Sequence, residues 1–345
     1  MSDLAQASAP LAAHAALLYA SMDEFVTWAL RFVDAGLDED EPVLVSAPRP
    51  EISFLRARMN GRAQRVSWAD ITRIGANPGR IIPHVHAFAS AHAGRPVRYL
   101  QKLAWPARTG AEQREAIRHE ALINLAFDAA PVRVLCAYDS ARLDPGIIRS
   151  AMSTHPVLHR EGHTGPSFAY DAHTVFPDEY NRPLPGPPDE AATLAYRGDL
   201  AALRAFAARH ATSIGLRQDR VLDLVLAVGE LAANTFRHTD AGGVLAIWSA
   251  GDELVCQVQD TGHITDPLAG RYLAAADAGE SHGLLIVHQV CDLVELRSGP
   301  GGTAIRLHMR LNPLSARVRG LVHVVTRTRY GNEMTRGGTK RKRSA

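Results

Sequence analysis

The 345-residue sequence predicts two domains of different class. The N-terminal one is α/β with a mostly parallel sheet; the C-terminal one is α+β, an antiparallel sheet with helices on one face. Three observations carry this. Short apolar runs of strand length alternate with helical patterns from Val43 to Met152. Five prolines then crowd residues 176–190, where neither a helix nor a central strand persists. Beyond them, one long amphipathic helix precedes alternating strands joined by glycine turns. The boundaries read as 1–11 flexible N-terminus, 12–172 first domain, 173–191 linker, 192–312 second domain and 313–345 basic tail.

Residues 11–20 are rich in Ala and Leu and lead into Ser21 and Glu24, a capping-box pair. A helix from Met22 to about Ala35 follows, burying Phe25, Ala29, Phe32 and Val33, with Gly36 as its stop. Strands are expected at 43–47, 66–68, 97–100 and 132–138, and helices at about 51–60, 78–93, 109–128 and 145–152. Ile117, Ala121, Leu125 and Phe127 are among the apolar positions of the helix at 109–128. The connection Ala47-Pro48-Arg49-Pro50-Glu51 has no glycine and no Lys-Ser/Thr, so it offers no backbone cradle for phosphate. His119, His155, His159 and His163 match no standard zinc spacing and have one cysteine nearby, so they read as ordinary polar or loop histidines.

In the second domain, strand 192–196 precedes a helix from Leu200 to His210 capped by Asp199. The long helix begins near Asp219, and Gly242-Gly243 turns it into strand 244–249. Strand 254–260, a lid-like stretch 263–282, a helix 284–291 and strands 293–298 and 303–310 follow, and Pro313 ends the domain.

A hydrophobic content of 46% with 21% charged residues is that of a soluble globular chain. No apolar run approaches the roughly 20 residues of a membrane span, and the start lacks a signal-peptide pattern. Cys136, Cys256 and Cys291 are scattered and read as buried free thiols, in keeping with the cytoplasm. Residues 331–345 carry five basic side chains against Glu333, which leaves residues 1–330 slightly acidic within a formal net charge of +2. The folded body is therefore not expected to bind nucleic acid.

Glu230, Asn234 and His238 stand four residues apart, and each step of four advances a helix by only about 40°. They stack along one face beside a core stripe of Val221, Leu224, Val225, Val228, Leu231 and Thr235. Oxygen donors of this kind suit magnesium and water rather than a soft metal. Alone, Glu-x-x-x-Asn is weak and equally suits a solvated helix face. Downstream, Asp260-Thr261-Gly262 ends an alternating strand, where a carboxylate accepts an amino group and glycine lets the backbone approach. Gly279 to Val287 opens a helix with glycines, and its free N–H groups and dipole favour phosphate.

In this order the pieces resemble the ATP-binding domain shared by histidine kinases, gyrase-type ATPases and anti-sigma-factor serine kinases. The likeness covers residues 194–311 and is nearest to the anti-sigma regulatory group of the RsbW type. It rests on Glu230 to His238, Asp260 to Pro267, Gly283 to Val287, Cys291 to Val294 and Gly301 to Thr303. One departure is Ile264, where kinase boxes commonly have a second glycine. The first domain resembles the sensory domain named MEDS, through Trp105-Pro106, Arg118-His119-Glu120, Asn124, Cys136 to Asp139 and His155-Pro156.

The resemblance implies a GHKL-type ATPase sandwich holding ATP and Mg²⁺. Asn234 would hold the metal. Asp260 would accept from the adenine amine, with Gly262 beside it. Ser281, His282, Gly283 and Leu284 would offer N–H groups to the phosphates, Thr303 would sit near the adenine edge, and Glu230 would act as general base. His238 either touches phosphate or serves as a cation at the helix end. The implied function is an ATP-binding anti-sigma regulatory factor with protein serine/threonine kinase activity, controlled by the sensory domain. Its partners would be a sigma factor and an anti-sigma antagonist, with no direct nucleic acid, no membrane and room for a homodimer. Two alternatives stand beside it: a sigma-binding module using ATP structurally, and a histidine kinase. The linker 176–190 is expected to be stiff enough to carry coupling between the domains.

Overall fold

A strand that opens the described chain, β1 (His14–Tyr19), lies inside the N-terminal sheet. The computed structural model describes residues 14–92, 94–170, 181–272 and 282–312. After β1 come α1 (Met22–Asp38), β2 (Val43–Ala47), α2 (Arg49–Arg58), β3 (Val66–Asp70) and α3 (Ile71–Ile74). They are followed by α4 (Ile81–Ala91), β4 (Val97–Gln101), α5 (Gly110–Ala126), β5 (Val132–Asp139), α6 (Pro145–Thr154), β6 (Val157–Arg160) and β7 (His163–Pro166). The seven strands run in the order β3-β2-β4-β5-β1-β6-β7, parallel except for the final β6–β7 pair.

Both faces of this sheet are covered. Leu17, Tyr19, Val45 and Leu100 join Phe25, Phe32 and Leu55 on one side, while Ala16, Leu44, Tyr99 and Cys136 join Ile81 and Leu122 on the other. Burial on both faces explains why β1 reads as a continuous apolar run without alternation. Neither β1 nor the β6–β7 pair was expected from the sequence. Gly36 does not stop α1. It lies inside the helix, where a Cβ would come within 2.7 Å of Arg98 Cδ and 2.8 Å of Val43 Cγ2, so it is there for close packing. The expected helix 78–93 is a 3₁₀ turn, Pro78–Arg80, leading into α4. Leu125 is 37% exposed rather than core. His119, His155 and His159 are buried, on α5, in the α6–β6 connection and on β6; of the four, only His163 is exposed.

The C-terminal sheet is built from β8 (Ala192–Tyr196), β9 (Gly243–Ala250), β10 (Glu253–Asp260), β11 (Leu293–Gly299) and β12 (Gly302–Arg310). Its order is β11-β12-β10-β9-β8, antiparallel throughout. The helices α7 (Leu200–Ile214), α8 (Gln218–His238) and α9 (Gly283–Val290) accompany it. The stripe predicted on α8 is buried at Val221, Leu224, Val228, Leu231 and Thr235, whereas Val225 is only half-buried. All three cysteines are buried and free. No helix among the described residues is long and apolar enough to cross a membrane. Residues 1–13, 171–180, Ser281, Pro313 and the basic tail lie outside the described residues.

The two sheets belong to one compact unit that ends at Leu311, and α5 and the turn Pro78–Arg80 of the first domain touch β11 and α9 of the second directly. The join is polar and buried. Glu115 on α5 meets Arg297 of β11 at 2.6 Å, Arg271 at 3.5 Å and Arg118 of its own helix at 3.7 Å. Arg114 pairs with Glu295 at 3.0 Å, and Arg310 with Glu112 at 2.6 Å. Asn77 Nδ2 and Arg80 Nε donate to the His288 carbonyl at the end of α9. Gly79 sits against the His288 ring so closely that a Cβ would lie 2.0 Å from Nδ1.

Candidate functional site

A cleft of about 450 Å³ opens between α8, the end of β10, the segment 262–272 and the start of α9. Its polar lining starts from Asp260, the last residue of β10. Asp260 Oδ2 accepts from Thr235 Oγ1 at 2.6 Å, and Oδ1 accepts from the Gly262 N–H at 2.9 Å. Thr235 in turn accepts from Tyr196 OH at 3.0 Å, and burial pushes that phenol up to about 12, so it stays a donor. Each carboxylate oxygen keeps one lone pair for a ligand.

A second chain of hydroxyls holds the turn after Asp260. Thr303 Oγ1 donates to the Gly262 carbonyl at 2.7 Å and therefore accepts from Ser298 Oγ at 2.7 Å. Ser298 Oγ accepts from the Ile264 N–H at 2.7 Å. Thr303 Oγ1 is thus fixed between the Gly262 carbonyl and Ser298 Oγ. Gly302, at φ +117°, closes the approach: a Cβ there would lie 2.4 Å from the Asp260 carbonyl. Leu231, Val258, Ile264, Leu284, Leu285 and Ile305 supply apolar walls. A ring with an amino group fits such a lining, flat against carbon with its polar edge on Asp260.

Of the residues expected from sequence, Asn234, Asp260, Gly262, His282, Leu284 and Thr303 all line this cleft. Gly283 is the buried first residue of α9, between two lining residues. Glu230 is half-buried on α8, one turn before Asn234, and is not part of the lining. Ser281 falls outside the described residues. His238 lines the cleft as the last residue of α8 and is also a cation-bearing helix end. For a magnesium ion the fit is through one oxygen, Asn234 Oδ1, which accepts from Arg237 Nη1 at 2.8 Å. Arg237 is exposed, so a stronger cation displaces it at little cost.

Arg237, His263, Asp266 and Tyr272 also line the cleft and were given no role from sequence. Arg237 carried a signal: it stands three residues after Asn234 and shares its helix face. Tyr272 had none, because it reaches the cleft through its hydroxyl bond to Asp266 Oδ2 at 2.5 Å within an irregular segment.

Two family models match separate parts of the chain. Residues 13–156 match the family model of MEDS, the methanogen/methylotroph, DcmR sensory domain. Residues 193–309 match that of the histidine kinase-like ATPase domain. No curated protein matches the chain. Among solved structures, the RsbU and RsbW domains of Rv1364c from Mycobacterium tuberculosis share 22% identity over 38% of this chain, with a TM-score of 0.28. The chain spans 35% of that structure's length. The protein therefore joins an N-terminal MEDS domain to a C-terminal histidine kinase-like ATPase domain.

Proposed function

We propose that this protein is an ATP-binding anti-sigma regulatory factor that phosphorylates a serine or threonine of a protein antagonist, under control of its MEDS domain. One observation carries the reading: six of the expected nucleotide residues, drawn from α8, β10, α9 and β12, line a single cleft of nucleotide size. Asp260 receives the adenine amine, Thr303 stands at the adenine edge, and the N–H groups at the start of α9 receive phosphate oxygens. ATP supplies the phosphoryl group, and Mg²⁺ held through Asn234 supplies charge neutralisation. Glu230 takes the proton of the attacking hydroxyl, one turn along α8 from the metal residue. The sigma factor and the antagonist are the partners this reading requires, in the cytoplasm.

Control by the first domain is supported by Arg271, which belongs to the segment bordering the cleft and pairs with Glu115 of the MEDS domain. This contact is a shorter route for coupling than the linker 176–190. A second reading, a non-catalytic sigma-binding module, is favoured by one observation: Glu230 is not part of the cleft lining. Incubating the full chain with γ-labelled ATP and a candidate antagonist separates the readings. Label on a serine or threonine of the antagonist, lost in Glu230→Ala with ATP affinity kept, supports the kinase. ATP binding without label supports the module, and label on a histidine of the chain itself indicates a histidine kinase.

A further inference from the structure

Four buried side chains from four elements converge inside the MEDS domain: His14 at the start of β1, Glu120 on α5, Cys136 on β5 and His155 just after α6. One ligand atom from each lies within 4.8 Å of the other three. His14 Nε2 is 3.3 Å from Cys136 Sγ and 3.5 Å from Glu120 Oε2. Glu120 Oε2 is 3.1 Å from Cys136 Sγ and 3.6 Å from His155 Nε2. In a tetrahedral site with metal–ligand bonds of about 2.0–2.3 Å, neighbouring donors stand about 3.3–3.8 Å apart. Four of the six donor pairs are close to that spacing as they stand, and the other two lie within 4.8 Å.

The protons point the same way. Asn124 Nδ2 donates to the Thr154 carbonyl at 2.8 Å, which turns its Oδ1 toward His14 Nδ1 at 2.9 Å. His155 Nδ1 faces the Ala151 carbonyl at 2.7 Å. Both oxygens only accept, so both rings carry a proton on Nδ1, and in the neutral form each aims a bare Nε2 at the same carboxylate. His155 Nε2 has no hydrogen-bond partner and the residue is fully buried. The single thiol proton of Cys136 serves at most one of the acceptors around it. Gln101 Nε2 braces both Cys136 Sγ at 3.1 Å and Glu120 Oε2 at 3.2 Å. Outer partners that fix the tautomer and the carboxylate in this way are the usual supports of a metal site.

We propose that His14, Glu120, Cys136 and His155 form a closed, four-ligand site for a divalent transition metal of the zinc class. Two imidazoles, one carboxylate and one thiolate are a donor set for zinc and not for magnesium or calcium. Two anionic ligands balance the ion's charge, which a buried site requires. On binding, the Cys136 S–H bond breaks, its electron pair goes to the metal and its proton leaves to solvent. The sequence did not offer this site, because His14 stands over 100 residues from its partners and no pair has a zinc-finger spacing.

The test uses the full-length chain, stripped with a chelator and titrated with Co²⁺ and then Zn²⁺. The expected result is one equivalent of cobalt per chain with a thiolate-to-cobalt absorption band, displaced by zinc, and a higher unfolding temperature for the loaded chain. Cys136→Ser should remove the band and His155→Gln should weaken binding at least about tenfold. Asn124→Ala should weaken it about 10–100-fold, while Cys256→Ala, in the other domain, should change nothing. A wild-type chain that takes up no cobalt, or a folded Cys136→Ser chain that keeps the band, overturns the site. If the variants do not fold, the wild-type titration and its thermal shift decide.

Discussion

In the ATPase cleft, Asn234 and Asp260 sit half-buried and Thr303 buried, on a helix face and two strand ends, and each is already hydrogen-bonded to another protein group. In the MEDS cluster, the side chains are fully enclosed, come from four separate elements, and leave one nitrogen with no hydrogen-bond partner at all. The first arrangement suits a ligand that enters and leaves. The second suits a ligand that stays. Between them runs α5, whose charged residues Glu112 and Glu115 reach the ATPase domain while Glu120 faces the cluster. The difference teaches that a buried charge is informative only together with its partners: Glu115 has cations around it, and His155 has lone pairs around it.

The sharpest way to break this contrast is Glu115→Ala. It removes the buried carboxylate shared by Arg118, Arg271 and Arg297 and leaves Arg297 with Glu295 at 4.0 Å as its remaining ion pair. A loss of about 3–5 kcal/mol is expected from thermal or denaturant unfolding of the full chain. A loss below about 1 kcal/mol would mean that water reaches this join. Next comes Gly79→Ala. Its Cβ would collide with the enclosed His288 ring, so a loss of about 1–3 kcal/mol is expected, with ATP affinity in the separate cleft much less affected.

Within the cleft, Asp260→Asn keeps the shape but replaces an acceptor-only group. Calorimetry should show ATP affinity reduced by about 1.5–3 kcal/mol in a folded protein; unchanged affinity would move the adenine contact elsewhere. Asn234→Ala should lower affinity for ATP with magnesium more than for ADP without it.

The smallest effect is a pH dependence at His308, where Glu253 and Glu295 face the ring from neighbouring strands and Arg310 and Arg114 neutralise those carboxylates from outside. Burial alone would lower this imidazole, but its bonds to the two carboxylates outweigh burial and raise it from 6.5 to about 8. The raised value means that the stabilisation is complete below pH 6.5 and fades as pH rises through 8. It amounts to at most about 2 kcal/mol. Unfolding curves at pH 6 and pH 9 should differ by less in His308→Gln than in the parent chain.

What the sequence made legible was whatever is local. Asn234, Asp260, Gly262 and Thr303 lie in short motifs whose helix spacing or strand end is fixed by the backbone, and all four line the cleft. The antiparallel second domain followed from alternation and glycine turns, and nearly all its elements lie within a few residues of expectation. The first domain was legible only where strands are bordered by charged helices. β1 escaped because, buried on both faces, it shows no period. α5 was found but its faces were misjudged: Glu112, Glu115, Arg118, His119 and Glu120 are buried and Leu125 is exposed. A helix packed between a sheet and a second domain keeps only a narrow solvent strip, here Arg114 and Leu125, so amphipathicity hardly orients it.

That enclosed helix has a geometric consequence. Glu115 and Glu120 are five residues apart on α5, roughly 7.5 Å along its axis and on different sides of it. An α-helix has a fixed rise and a fixed twist, so the two carboxylates keep a fixed separation like two pegs on one axle. Any event that draws Glu120 inward also turns or slides the peg that Arg271 and Arg297 grip. The cluster and the join between the domains are then separated by less than two helical turns, and a double-mutant cycle across these two glutamates reads the gearing between them.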